Sequence, residues 1–140
     1  KGFIAEQSPC AVKPEQPGVF GMFAEGRWWK LSLGAALAAE VSAGDAVERL
    51  DASVLQKRVL APILGVGDVR EDPRISFVGG IRGTDELEKR AGADGVAFAL
   101  HATGIDQLLD VADAGLLMPP KSTWFEPKLR SGLFIHRISK

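Results

Sequence analysis

Between Val19 and Leu33 the chain runs apolar and polar residues in alternation on either side of Glu25-Gly26, and no other stretch limits the fold as much. Val19-Phe20-Gly21-Met22-Phe23 and Arg27-Trp28-Trp29-Lys30-Leu31-Ser32-Leu33 read as two strands of a hairpin. Gly26 supplies the positive φ that a tight hairpin turn requires. In the second strand Trp28, Lys30 and Ser32 alternate with Trp29, Leu31 and Leu33, and the latter set is expected to face a core.

Before the hairpin, Ser8-Pro9-Cys10 through Pro14 and Pro17 read as irregular or extended chain, since proline holds its predecessor out of the helical region. After it, Ala35–Ala43 fits a short helix or a surface excursion. Leu50, Val54, Leu55 and Val59 fall at helical spacing, with Asp45 or Asp51 as the cap, Pro62 as the end and Gly65 as the stop. Ile75–Val78 reads as a short strand, followed by a glycine-rich turn and a helix over about Asp85–Arg90. Val96–Leu100 is apolar on both faces and is expected at the centre of the sheet. Thr103 and Asp106 resemble a capping box for a helix that buries Ile105, Leu108, Leu109 and Ala112 and stops at Gly115. A proline-bounded loop from Met118 to Gly132 leads to a last strand, Leu133–Ile138.

The expected fold class is therefore α/β of the α+β type: a mixed sheet of about five strands, with the helices mainly on one face. Residues 1–17 are expected as an extended N-terminal segment, and residues 18–140 as a single α/β domain.

Composition narrows the function classes. With 46% hydrophobic and 25% charged residues, 140 residues suffice for a packed core without staples. One cysteine makes no internal disulfide and no four-cysteine zinc site. No apolar run approaches the roughly 18 residues of a membrane span, and the opening residues do not read as a leader. No membrane partner and a cytoplasmic location are expected. A net charge of −1 is no footprint for nucleic acid, so none is expected as a partner.

Most candidate sites have a plain structural reading. Gly79-Gly80-Ile81-Arg82-Gly83-Thr84 joins a strand to a helix, where backbone amides cradle phosphates. It matches neither the P-loop nor the dinucleotide fingerprint, and Asp85, Glu86 and Glu88 repel an anion there, so a turn with a helix cap is expected. His101 and His136 stand at or near strand ends without the spacing of metal ligands, and are read as structural. Cys10 has Lys13 as its nearest cation and lacks the setting of a catalytic thiolate. Trp28 and Trp29 read as hairpin core and cover rather than as a stacking platform. No metal site is expected, no cofactor can be named, and no base–nucleophile pair is visible.

The Met118–Gly132 loop differs. It is longer than packing requires and concentrates cations, hydroxyls and aromatics. Residues 119–140 hold Lys121, Lys128, Arg130, Arg137 and Lys140 against Glu126 alone, which leaves residues 1–118 at −5. Lys121, Lys128 and Arg130 can neutralise a phosphate or carboxylate, while Ser122 and Thr123 donate hydrogen bonds. The other reading is a structural lid in which Trp124 and Phe125 plug an apolar gap.

Met118-Pro119-Pro120-Lys121-Ser122-Thr123-Trp124-Phe125-Glu126-Pro127-Lys128-Leu129 resembles the C-terminal signature of the bacterial and archaeal domain-of-unknown-function family 1015. Leu50–Leu55, Pro62–Gly65 and Val111–Gly115 are similar to other blocks of that family, in the same order; Ala102 stands where the family pattern has proline. The resemblance implies that this chain corresponds to the C-terminal part of a longer protein. It also implies that the preceding half carries a Gly-His-His-Arg type motif similar to that of ParB-like free serine kinases. The family carries no established catalytic residue onto these positions.

The expected function is thus ligand capture: the Lys-Ser-Thr loop helps to bind a phosphorylated or carboxylated small molecule at the interface with the remainder of the chain. The alternative is a non-catalytic structural or assembly module whose loop is an interdomain or homodimer contact.

Overall fold

The computed structural model describes residues 2–123. Its hairpin joins β2 (Val19–Ala24) to β3 (Arg27–Leu33), with Ala24 opposite Arg27. Only Glu25 and Gly26 lie between them, at φ 52° and 71°. Two positive φ values in a row give the mirror-image turn whose twist matches that of the flanking strands. Glycine takes the second position without strain; Glu25 takes the first at a cost.

The extended opening segment joins the sheet before its first proline. Phe3–Ser8 form a strand, β1, antiparallel to β3 from Phe3 opposite Leu33 to Ser8 opposite Trp28. β4 (Val96–Leu100) pairs antiparallel with β2, so the order is β1-β3-β2-β4. The expected mixed sheet is corrected on two points. All pairings among the described residues are antiparallel, and Ile75–Val78 forms no strand. Just before it, the Asp72 carboxylate accepts the Arg74 N–H, and the Asp72 carbonyl accepts the Ile75 N–H. The chain turns there instead of extending along an edge. The fifth expected strand, Leu133–Ile138, lies outside the described residues.

Since β1 and β2 run in the same direction with β3 between them, residues 9–17 must cross the sheet to return to its starting end. They cross over one face, which the register identifies. Phe20, Leu31, Met22, Trp29, Phe98 and Leu100 share one side; Trp28, Phe23, Gly21, Lys30 and Glu6 share the other. A Cβ on Gly21 would stand 2.5 Å from the Val12 carbonyl oxygen and 3.1 Å from the Trp28 ring. The crossover backbone therefore rests directly on the sheet at a glycine.

Helices cover both faces rather than mainly one. On the first, Phe20 and Leu31 pack against Val54, Leu55 and Val59. These come from α2 (Asp51–Leu55) and the wider π-type turn Gln56–Leu60 that continues it. The expected buried set Leu50, Val54, Leu55 and Val59 is found. Pro62 can neither donate to the Arg58 carbonyl nor share its space, and Gly65 at φ 66° turns the chain away. On the second face, α3 (Gly83–Ala91) packs on β2 and β4. Its Glu88 accepts the Trp28 indole N–H at 2.7 Å. Trp28, expected on the outer set, is thus the more buried of the two tryptophans, 5% exposed.

The same two-sided cover explains β4. Phe98 and Leu100 face the first core while Ala97 and Ala99 lie under α3, so its apolar faces reflect helices on both sides. Among the described residues it is the last strand of the order, not a central one. α1 (Ala35–Ser42) buries Leu37 against Gly2. α4 (Ile105–Asp113) buries Val111, with Gln107 and Leu108 half-buried, while Ile105 and Leu109 are 63% and 52% exposed. The expected buried face of α4 is therefore rotated. With apolar residues at 105, 108, 109 and 111, periodicity alone does not select the side.

Candidate functional site

The first turn of α4 begins from Gly104, whose N–H is accepted by Gln107 Oε1 at 3.0 Å. Thr103, expected to cap this helix, is used elsewhere. Its hydroxyl donates to the Ser122 carbonyl at 2.8 Å and ties the Pro119–Thr123 segment to the end of β4. The segment is also closed on itself, because Ser122 Oγ donates to the Pro119 carbonyl at 2.7 Å and the Ser122 N–H reaches the same oxygen. Between these anchors Lys121 is exposed and adopts φ 58°, a left-handed conformation that costs a residue with a Cβ about 1 kcal/mol. Such a conformation persists only where its surroundings impose it.

Of the two hydroxyls expected as donors, Ser122 is engaged within the segment. The Ser122 proton is committed to Pro119, which leaves its oxygen as an acceptor rather than a free donor. Thr123 is half-buried beside it, and Lys121 carries the segment's exposed charge. Lys128 and Arg130 lie outside the described residues, as do His136, Trp124, Phe125 and Leu129.

Two residues before Thr103 stands His101, whose charge acts on Asp51, fifty positions away in sequence. Asp51, one of the two expected caps, lies one residue inside α2, after the N-cap Leu50. Its Oδ1 accepts the Gly18 N–H at 2.8 Å, where the crossover enters β2. Burial pushes the Asp51 carboxyl above the usual aspartate range; the Gly18 N–H and the attraction of His101 act in the opposite direction. His101 follows β4 directly, opposite the start of β2, and its Nδ1 is shielded from solvent with no hydrogen-bond partner among the described residues. Nothing in the local sequence relates Asp51 to His101; the β2–β4 register sets the end of β4 across from the start of β2, where Asp51 is bound. Asp45 does cap backbone: its Oδ1 accepts the Val47 and Glu48 N–H groups at 2.9 and 2.8 Å.

The other candidates are separate from this corner. In the glycine turn, Gly80–Arg82 form one 3₁₀ turn and α3 starts at Gly83 without a side-chain cap. Arg82 and Arg90 both approach Glu86, at 3.9 and 2.7 Å, and Arg90 chiefly holds the Glu86 carboxyl below its ordinary value. The turn's arginine thus faces a carboxylate of its own helix. Cys10 is exposed and its carbonyl accepts the Ser8 hydroxyl. Among the described residues no group of three or more His, Cys, Asp and Glu side chains could hold a metal ion, and no helix is long and apolar enough to cross a membrane. No family model, curated protein or solved structure matches the chain.

Proposed function

We propose that this chain is a ligand-binding module in which the Lys121-Ser122-Thr123 turn grips a phosphorylated or carboxylated small molecule. The observation that carries the reading is the clamped left-handed Lys121. Thr103 and Pro119 hold the turn from both sides, and a lysine stands where glycine or asparagine would sit without strain. Lysine brings an ammonium to that position, and a charge-assisted bond from it suits an anionic oxygen. The turn is held before the ligand arrives, which lowers the ordering cost of binding. Lys128 and Arg130 are proposed to add charge. The remainder of a longer, cytoplasmic chain is proposed to close the site, on the strength of the family resemblance.

Titration calorimetry with inorganic phosphate tests this. Lys121→Ala, which keeps the backbone strain, is expected to weaken phosphate binding at least fivefold with the melting temperature unchanged. Unchanged affinity with a large loss of stability would refute it.

The second reading, an assembly module, draws on one observation. Ile105, Leu109 and Leu117 are 63%, 52% and 88% exposed on and just beyond α4. Apolar groups of that size in water are common at contacts with another chain or copy. Sedimentation of Leu117→Asp beside the unaltered protein separates the two readings, since only assembly depends on this surface.

A further inference from the structure

Over the β1–β3 edge, the crossover of residues 9–17 and the sheet enclose a groove of about 500 Å³. Two walls form it, and each carries both signs of charge. Glu6 and Lys30 project from the sheet, and Lys13 and Glu15 come from the crossover. Glu6 and Lys30 are direct cross-strand partners, at a spacing where opposite charges ordinarily meet. Yet among the described residues none of the four makes an ion pair, although seven other pairs form elsewhere on the surface. The floor is less polar, with Val12 and Val19 exposing part of their side chains.

The groove is held open by covalent and hydrogen-bonded constraints. Pro9, Pro14 and Pro17 restrict the crossover. Ser8 Oγ donates to the Cys10 carbonyl at 2.8 Å at its start, and the Gly18 N–H is bound by Asp51 at its end. In the middle the Val12 backbone rests on Gly21. A cavity of this size lies within the range of small-molecule sites.

We propose that this groove binds a small zwitterion, a molecule of amino-acid to dipeptide size with one ammonium and one carboxylate. With two carboxylates and two ammoniums the groove carries no net charge, so for a simple ion the attraction of one pair is offset by the repulsion of the other. A molecule carrying both charges finds a partner for each, and its apolar part covers Val12 and Val19. The site is independent of the Lys121 turn. Its contacts are exposed and screened by salt, so the dissociation constant is on the order of 1 mM.

The test is an amide NMR titration of the whole chain with alanylalanine, alongside N-acetylalanine and alaninamide, which each carry one of the two charges. Alanylalanine is expected to shift the amides of Glu6, Lys13 and Lys30 saturably, with both single-charge analogues at least threefold weaker. Lys30→Met and Glu6→Gln are each expected to weaken alanylalanine about threefold, the worth of one exposed charge pair, with unchanged melting temperatures. Lys121→Ala leaves this binding intact. Equal binding of N-acetylalanine or alaninamide, indifference to both groove variants, or no saturable shift up to about 20 mM overturns the proposal.

Discussion

Gly21→Ala isolates the contact on which the crossover depends. The added Cβ would stand 2.5 Å from the Val12 carbonyl oxygen, a backbone atom that no rotamer change can move. The crossover or the sheet must shift, and forcing one extra carbon into a packed site costs about 1–3 kcal/mol. Replacing glycine by alanine also restricts the unfolded chain, which returns about 0.4–1 kcal/mol. Around the middle of these ranges the net loss is about 1–2 kcal/mol. With an unfolding entropy of about 2.1 cal/mol/K per residue, that lowers the melting temperature by roughly 3–7 °C. Gly67→Ala is the control, because a Cβ there meets nothing within 4 Å. Differential scanning calorimetry of the two variants and the parent measures the difference. If Gly21→Ala melts at or above the parent, the crossover does not rest on the sheet and the groove has no fixed wall.

Glu88→Ala removes the partner of a buried indole N–H and is expected to cost about 1–3 kcal/mol in urea unfolding, whereas Glu88→Gln keeps an acceptor and most of the stability. Asp51 gives a pH signature. Burial raises its carboxyl in the folded state, so its contribution to stability is greatest below the unfolded value near 4 and declines as pH rises through the folded value. Asp51→Asn can still accept the Gly18 N–H, and is expected to remove that decline and melt higher than the parent at pH 7; a steeper decline in thermal melts across pH 3–7 would contradict it. Asp68, paired with Arg70, is lowered to about 2, so its carboxyl ¹³C signal is expected to titrate near there in dilute buffer and to rise toward 3.8 in Arg70→Ala.

Local chemistry was readable where a residue acts through its neighbours in sequence. Glu25-Gly26 marks the hairpin turn, Pro62 and Gly65 end the second helix, and Gly115 at φ 66° follows α4 where a stop was expected. What pattern could not provide was which partner covers a face. Residues 75–78 and 96–100 present similar short apolar runs, yet only the second finds a strand to pair with. α4 has apolar residues around much of its circumference, and the side that is buried follows from Val111, not from the period. β1 carries Glu6, Gln7 and Ser8 and a weak alternation, and it becomes a strand because β3 offers an edge. A glycine inside an apolar strand, Gly21, marks a close backbone approach. At the candidate site, the Lys-Ser-Thr cluster was visible in sequence. Thr103 as its tether and the Asp51–His101 neighbourhood depend on contacts between distant segments.

The most direct test of the proposed function is Lys121→Asn, assayed for phosphate affinity and melting temperature together. Asparagine accepts the left-handed conformation more readily than lysine and carries no charge. The expected result is a melting temperature equal to or up to about 3 °C above that of the parent, from relief of about 1 kcal/mol, together with phosphate binding at least fivefold weaker. A lower melting temperature with phosphate affinity unchanged would show that Lys121 holds the fold together and does not grip an anion.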